Sequence, residues 1–134
     1  MPTVLVVDDS DRMRETVNQG MQDAGFAECE FLEACDGAEA LEVLDKYDVD
    51  LILSDINMPR LNGIQLVRRV REPKPSEPRC GGFVPDARRV PILMISTDGS
   101  RETVQAAMAA GANDFLTKPF TADQLKQKIE PLLI

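Results

Sequence analysis

The sequence contains no histidine among its 134 residues, and this absence excludes several functions at once. No mechanism that needs a histidine base or a histidine zinc ligand is available, and the chain cannot itself carry a phosphohistidine. Only three cysteines are present, Cys29, Cys35 and Cys80, and they form neither an even set nor a CxxC pair. We therefore expect reduced thiols, as in a cytoplasmic protein.

Long hydrophobic runs are also absent. The first apolar run covers only Val4–Val7 before it meets two aspartates, which is too short for a signal sequence or a membrane span. Acidic residues outnumber basic ones by 23 to 15, so the net charge is −8, and this argues against direct binding to nucleic acid. We expect a cytoplasmic protein without membrane insertion, and the length suits a single domain over residues 1–134.

Apolar runs alternate with amphipathic stretches from one end of the chain to the other. The predicted strands are Thr3–Val7, Glu28–Leu32, Leu51–Ser54, Ile92–Ser96 and Asp114–Leu116. The predicted helices are Ser10–Ala24, Asp36–Lys46, Asn62–Arg71, Ser100–Ala110 and Ala122–Leu133. Five strand–helix units in succession predict an α/β fold, namely a doubly wound (βα)5 sandwich with a five-stranded parallel sheet.

Charged residues directly follow three of the predicted strands. Asp8 and Asp9 follow the first strand, Asp55 follows the third and Lys118 follows the fifth. Because the carboxyl ends of parallel strands meet at one edge of a sheet, these side chains should converge. Three close carboxylates repel one another and raise their own pKa values unless a cation lies among them, and Mg²⁺ with oxygen ligands resolves this conflict. Removing Asp8 or Asp9 should then leave the metal-free fold intact or more stable.

This arrangement is typical of a site that accepts phosphate. Asp55 is the candidate nucleophile, since a carboxylate can attack a phosphoryl group to form an aspartyl phosphate. Asp8, Asp9 and Asp55 would hold the metal, together with the backbone carbonyl of Asn57.

Two further side chains are candidates for binding the phosphoryl oxygens. Lys118 would act as a point charge, and the hydroxyl of Ser96, at the end of the fourth strand, would donate a hydrogen bond. Phosphoryl transfer needs mainly in-line positioning and charge neutralisation, which these groups supply. An adjacent pair of aspartates alone would more simply cap a helix, so the prediction depends on the combination.

The residues at these positions resemble the receiver domain of two-component response regulators, most closely the small chemotaxis-type (CheY-like) receivers. The motifs that carry the resemblance are Asp8-Asp9, Ser54-Asp55-Ile56-Asn57-Met58-Pro59 with Gly63, Ile95-Ser96 and Lys118-Pro119-Phe120. The resemblance covers essentially the whole chain and implies the flavodoxin-like strand order 2-1-3-4-5. It also implies that a histidine kinase or a histidine phosphotransfer protein donates a phosphoryl group to Asp55 with Mg²⁺, or with Mn²⁺ in its place.

The resemblance further implies a switch and not an enzyme. Phosphorylation would alter the affinity for a downstream protein target, and the only chemistry would be self-catalysed phosphotransfer and slow autodephosphorylation. In this switch Ser96 moves toward the phosphoryl group and Phe115 changes rotamer, although many relatives carry Tyr at the latter position. Such receivers are monomers or dimerise on phosphorylation. The Lys118–Pro119 bond is expected to be cis, which costs about 0.5–1 kcal/mol before proline.

Three alternatives are left open. The chain could be the receiver of a longer regulator with an output domain. It could be an aspartate-nucleophile phosphatase of the haloacid-dehalogenase type, but those enzymes carry Asp-x-Asp after the first strand, whereas Asp8 and Asp9 are adjacent. A nucleotide-binding Rossmann domain is disfavoured, because no GxGxxG motif follows the first strand.

A segment rich in proline and glycine, at about 72–90, interrupts the alternation and is long for a loop within a compact domain. Its composition excludes a regular helix or a central strand. From Arg68 to Arg89, seven basic residues stand against three acidic ones, in contrast to the acidic remainder of the chain. Solvated charge is the default interpretation, and a docking patch for an acidic partner is the alternative.

Replacing Lys74–Pro85 by a short Gly/Ser turn should leave the fold and the phosphorylation of Asp55 by acetyl phosphate nearly unchanged, because loop-closure entropy changes slowly with loop length. Binding to the natural kinase or target should weaken, most of all at low salt, where exposed charges interact most strongly. Thermal unfolding, phosphate labelling and partner binding of the two proteins check this. Equally tight binding of every physiological partner by the shortened protein would make the segment a tolerated insertion only.

Overall fold

In residues 2–72 and 89–133, which the computed structural model describes, five parallel strands form one sheet. The strands are β1 (Thr3–Val7), β2 (Glu30–Ala34), β3 (Leu51–Ser54), β4 (Ile92–Ser96) and β5 (Asp114–Thr117). The helices of these residues are α1 (Asp11–Met21), α2 (Gly37–Lys46), α3 (Gly63–Arg71), α4 (Arg101–Ala110) and α5 (Ala122–Ile129). The strand order is β2-β1-β3-β4-β5, which confirms the expected doubly wound α/β fold and its order. None of the helices in the described ranges is long and apolar enough to cross a membrane.

Helices cover both faces of the sheet, and this explains the continuous apolar runs of β1, β3 and β4. Successive side chains of a strand point to opposite faces. On β1, Leu5 and Val7 pack into the core beneath α2, α3 and α4. Val4 and Val6 pack into the second core, beneath α1 and α5. Both faces of the central strands are therefore buried, and a functional site can form only at the polar ends of these strands.

Each of these helices begins after a side chain that caps its first turn. The caps of α1 to α5 are, in order, Ser10, Asp36, Asn62, Ser100 and Thr121. Each side-chain oxygen accepts a hydrogen bond from the backbone N–H three residues later, which satisfies a donor that has no partner within the helix. The predicted helix starts therefore lie within one residue of the observed ones.

The prediction for β2, Glu28–Leu32, is wrong by two residues. The N–H of Cys29 donates to the carbonyl of Phe26 at 3.1 Å, so the chain is still turning at this point. Pairing with β1 begins only at Glu30, opposite Thr3. In sequence, the turn that precedes β2 resembles the start of an edge strand because it also contains apolar residues, and this explains the error.

The first helix was predicted to extend to Ala24, but its regular α-helical part ends at Met21. A wider, π-type turn follows over Gln22–Phe26. Gly25 has a φ of 100° and leaves the helical region, a conformation that glycine adopts without strain.

The last helix was predicted to extend to Leu133, but it is α-helical only to Ile129 and continues as a 3₁₀ turn over Glu130–Leu132. Pro131 lacks the N–H that an α-helical hydrogen bond would need at this point. Strand β5 is one residue longer than predicted, because Thr117 still pairs with Ser96.

The proline-rich segment at about 72–90 lies mostly outside the described residues, so the expectations for it stay predictions. Its flanks are linked by Arg71, the last residue of α3. The Arg71 guanidinium donates to the carbonyl of Val90 at 2.8 Å and to Oδ1 of Asn113 at 2.8 Å. Since α3 ends and β4 begins at the amino-terminal edge of the sheet, these flanks lie at the edge opposite Asp55.

Gly63 allows α3 to begin directly against the end of β3. Its N–H donates to the carbonyl of Ile56 at 2.8 Å. A Cβ at this position would lie 2.1 Å from the carbonyl oxygen of Asp55, which is far inside van der Waals contact. The nearest obstacle is backbone, although the end of the Met94 side chain would also lie too close, at 2.7 Å. Only a shift of the chain around Asp55 could relieve the closest clash.

Gly63→Ala should lower the free energy of unfolding by about 3 kcal/mol or more, at or above the usual range of about 1–3 kcal/mol for overpacking. The matched control is Ala109→Gly at an exposed position of α4, which should cost only about 0.5–1 kcal/mol. Urea unfolding of both variants checks this. A loss for Gly63→Ala no larger than that of the control would contradict the close approach.

Candidate functional site

Three carboxylates meet at the carboxyl-terminal edge of the sheet. Asp8 and Asp9 follow β1 and Asp55 follows β3, and each can offer one oxygen such that all three oxygens lie within 4.8 Å of one another. Asp8 is buried, with 3% of its surface exposed, whereas Asp9 is exposed. The predicted convergence of these side chains is therefore present in the fold.

Asp55 is held by its own backbone and by that of its neighbours. Its N–H donates to the carbonyl of Val7 at 2.9 Å, which extends the β1–β3 pairing. Its Oδ1 accepts a hydrogen bond from the N–H of Ile56 at 2.8 Å. The side chain is 13% exposed. The carboxylate is thus fixed in orientation yet open on one side.

The pKa of Asp55 is raised above its ordinary value, chiefly because burial disfavours the charged form. The Lys118 ammonium and the Ile56 N–H lower it in part, and the charges of Asp8 and Asp9 raise it further. The expected direction is confirmed, but burial contributes more than the repulsion on which the sequence argument relied.

Lys118 lies among these carboxylates and forms its shorter contact with Asp8. Its Nζ is 3.0 Å from Oδ2 of Asp8 and 3.8 Å from Oδ1 of Asp55. The backbone N–H of Lys118 donates to the carbonyl of Ser96, and the Lys118–Pro119 bond is cis, as predicted. The ammonium thereby neutralises part of the acidic cluster.

Asp8 has more partners than the sequence indicated. Its Oδ1 accepts a hydrogen bond from the N–H of Ser10 at 3.0 Å, and its backbone carbonyl accepts one from the guanidinium of Arg14. Arg14 also pairs with Glu33 of β2 at 3.1 Å. Removing Asp8 would break a buried ion pair with Lys118, so the expectation of an unharmed metal-free fold is kept for Asp9 and revised for Asp8.

The donor set fits a hard divalent cation. Three carboxylate oxygens within 4.8 Å of one another, two of them from largely buried side chains, match the preference of Mg²⁺ for oxygen ligands and for one or two direct carboxylates with several waters. Asn57 lies two residues after Asp55, on the exposed part of the loop between β3 and α3. Its backbone carbonyl stays a predicted ligand.

Ser96 is fully buried at the end of β4. Its Oγ accepts a hydrogen bond from the N–H of Asp98 at 3.1 Å, and no hydrogen bond joins it to Asp55 in the described part of the chain. The Asp98 carboxylate accepts hydrogen bonds from the hydroxyl of Thr103 at 2.7 Å and from the N–H of Ser100 at 3.0 Å. These bonds hold the pKa of Asp98 below its ordinary value. Ser96 therefore belongs to a separate network in this conformation.

Phe115, the second predicted switch residue, is buried in the core beneath α2, α3 and α4. Its N–H donates to Oδ1 of Asp114, the first residue of β5. The side chain has no hydroxyl with which to report its position, so any switch at this residue works through packing alone.

Sequence reasoning missed Arg14, Asp98 and an ion pair between Asp36 and Arg60. The capping role of Asp36 could be read from its place before a helix, but its arginine partner lies 24 residues away. No local pattern marks the contacts of Arg14 with Glu33 and of Arg60 with Asp36, because they depend on which parts of the chain the fold brings together. The contact of Asp98 with Ser96 is local, over two residues.

The sequence matches the family model of the response regulator receiver domain over residues 4–130. It is 39% identical to the chemotaxis protein CheY1 of Helicobacter pylori over 131 residues, which is 97% of this chain and 95% of that protein. The chemotaxis protein CheY4 of Vibrio cholerae has a solved structure that is similar with a TM-score of 0.79, at 36% identity and over 99% of each chain. The receiver domain of a Francisella response regulator is similar with a TM-score of 0.78, at 28% identity, over 99% of this chain and 97% of that one.

Asp55→Asn should stabilise the metal-free protein at neutral pH, because it removes a charge that burial disfavours. The folded-state pKa of Asp55 is raised, so wild type carries this cost above that pKa and loses it as the pH falls toward the unfolded value of about 3.9. The gain in melting temperature should shrink accordingly on acidification in the presence of a chelator.

Asp8→Asn is the matched comparison, since it also removes one charge from the cluster. It should destabilise the metal-free protein by about 1.5–3 kcal/mol, the usual contribution of a hydrogen bond to a charged group, because Lys118 loses its nearest partner. Thermal unfolding of both variants decides the matter, and the same sign of change for the two would contradict this account.

Proposed function

This chain belongs to the response regulator receiver domain family, and we propose that Asp55 is its phosphoacceptor. As a receiver of the CheY type, the protein is a signalling switch controlled by phosphorylation. A histidine kinase or a histidine phosphotransfer protein is the proposed donor, as membership of this family suggests. The phosphohistidine would belong to that partner, because this chain has no histidine of its own. A downstream protein is the proposed reader of the phosphorylated state.

The observation that carries this assignment is the meeting of three carboxylates and Lys118 at one edge of the sheet. Asp55 is the member of the cluster that is both fixed in orientation and open on one side. Asp8 is buried against Lys118, and Asp9 is exposed without such fixation. Family membership favours this role over that of an aspartate-nucleophile phosphatase.

In the proposed step, a carboxylate oxygen of Asp55 forms a bond to phosphorus while the P–N bond of the donor phosphohistidine breaks. The electron pair of that bond stays on the imidazole nitrogen, which takes up a proton. The N–H of Ile56 keeps the Asp55 carboxylate in one orientation, so little freedom is lost on approach to the donor.

Charge neutralisation is the second requirement of the transfer. Mg²⁺, when bound by Asp8, Asp9 and Asp55, would neutralise the carboxylates and the oxygens of the phosphoryl group. The Nζ of Lys118 lies 3.8 Å from Asp55, which is close enough for the ammonium to shift from Asp8 to a phosphoryl oxygen. Ser96 would supply a hydroxyl to the same oxygens after it leaves the N–H of Asp98.

Incubation with acetyl phosphate and Mg²⁺ should label wild type at a single residue, and Asp55→Asn should abolish the label. Asp48→Asn, which removes an exposed aspartate from the turn before β3, is the matched control and should label like wild type. Intact-mass spectrometry with and without a chelator measures both the label and its metal dependence. Equal labelling of Asp55→Asn and wild type would remove Asp55 from the role.

A further inference from the structure

A buried carboxylate and an exposed arginine join α2 to the loop that follows β3. Asp36 has 2% of its surface exposed, whereas the side chain of Arg60 is 67% exposed. Both Nε and Nη2 of Arg60 donate to Oδ2 of Asp36, the former at 2.7 Å. Oδ1 of Asp36 accepts a hydrogen bond from the N–H of Glu39 at 2.8 Å. One carboxylate thus caps a helix and anchors a distant loop.

A second contact lies beside the first. The N–H of Gly37 donates to the carbonyl of Leu61 at 3.1 Å. A Cβ on Gly37 would lie 2.8 Å from that same oxygen, so the helix start and the loop approach each other as closely as backbone allows. The two contacts together fix the loop against the first turn of α2.

The backbone of Arg60 indicates that its side chain contributes to this arrangement. Arg60 has a φ of 65°, and it is the one residue other than glycine with positive φ in the described ranges. This conformation is strained for a residue with a Cβ and persists where the surroundings hold it in place. Glycine would occupy the position without strain, so the ion pair with Asp36 offsets the strain of an arginine there.

The loop that is held in this way contains Asp55 and Asn57 of the proposed metal site. It runs from Asp55 to Asn62, and its first part is fixed by the bond from the N–H of Ile56 to Asp55. Between that bond and Arg60 lie Asn57 and Pro59, both exposed. The exposed part of the loop is therefore held at two points, one at the proposed phosphoacceptor and one at Asp36.

We propose that Arg60 and Asp36 are positioning residues, which fix the β3–α3 loop so that the carbonyl of Asn57 and the carboxylate of Asp55 are presented together to the metal. This inference rests on the proposed function, since it concerns the same site. Neither residue touches the reacting atoms. The ion pair acts through the loop backbone, and its loss should loosen the loop before any ligand is bound.

Arg60→Gly is the informative substitution, because it removes the ion pair and also the backbone strain. Its stability should match or exceed that of Arg60→Ala, which removes the pair and keeps the strain. Both variants should bind Mg²⁺ about 10-fold more weakly than wild type, the lower end of the loss seen when an outer partner of a metal ligand is removed. Arg60→Lys keeps a charge near Asp36 and should lose less affinity.

Two measurements separate positioning from general stability. Calorimetric titration with Mg²⁺ gives the affinity. Hydrogen exchange of the metal-free protein gives the opening of the loop, and the hydrogen-bonded amides of Gly37 and Leu61 should exchange faster in Arg60→Gly. Asp36→Asn keeps an oxygen for the N–H of Glu39 but loses the charge. It should show the same weaker Mg²⁺ binding and faster exchange as Arg60→Gly. Lys128→Ala breaks an ion pair with Asp114, 3.1 Å long and distant from the loop, and should change neither measurement.

The outcomes distinguish this inference from the proposed function. Unchanged Mg²⁺ affinity and unchanged exchange in Arg60→Gly, with normal labelling of Asp55 in wild type, would overturn the positioning role alone. Failure of wild type to bind Mg²⁺ or to label at Asp55 would overturn both. The Mg²⁺ affinity of Arg60→Gly, Arg60→Ala and Lys128→Ala could instead fall in proportion to the loss of melting temperature in each variant. That result would assign Arg60 to stability only, and would overturn the inference as well.

Discussion

The gathering of three carboxylates at one edge of the sheet is the constraint on which the rest of this structure depends. Like charges at such distances oppose folding unless hydrogen bonds and a cation are arranged around them, and burial adds to their cost. Lys118 supplies the resident positive charge, although β3 and β4 separate its strand from β1. Its side chain and that of Asp8 must both lean over the ends of the intervening strands. The fold thus supplies, through Lys118, part of the positive charge that the acidic cluster requires.

The fold and the positions of the charged residues could be predicted because both follow from local patterns. Strands β1, β3 and β4 are buried on both faces, so their apolar runs are continuous and end sharply where a polar residue begins. Strand β2 lies at the edge of the sheet and is only partly buried, so its hydrophobic pattern is weaker. For this reason the prediction placed β2 two residues too early in the chain. The helix starts were predicted well for a related reason. The residue that caps a helix directly precedes it in the sequence, so it can be recognised without knowledge of the fold.

The partners of the site residues could not be predicted, because they depend on tertiary contacts between loops. Sequence reasoning assigned Lys118 to the phosphoryl group and did not foresee its contact with Asp8. It identified Asp36 only as the start of a helix, and Arg60 carried no signal at all. A side chain that holds two loops together leaves no periodicity in the sequence, and its role emerges only when the distance between the loops is known.

Under the proposed function, the same contacts are the ones that a phosphoryl group on Asp55 would displace. In the conformation described, Ser96 accepts a hydrogen bond from Asp98, Lys118 is paired with Asp8, and Phe115 lies in the core. A phosphoryl group on Asp55 can favour another conformation only by the difference between the contacts it gains and those that are lost. The strongest of the existing contacts is the one between two buried charges, because the low-dielectric surroundings strengthen it. In the proposed function, Lys118 can exchange its pairing with Asp8 for one with the phosphoryl group, so the charge pair that is lost is replaced by a new one.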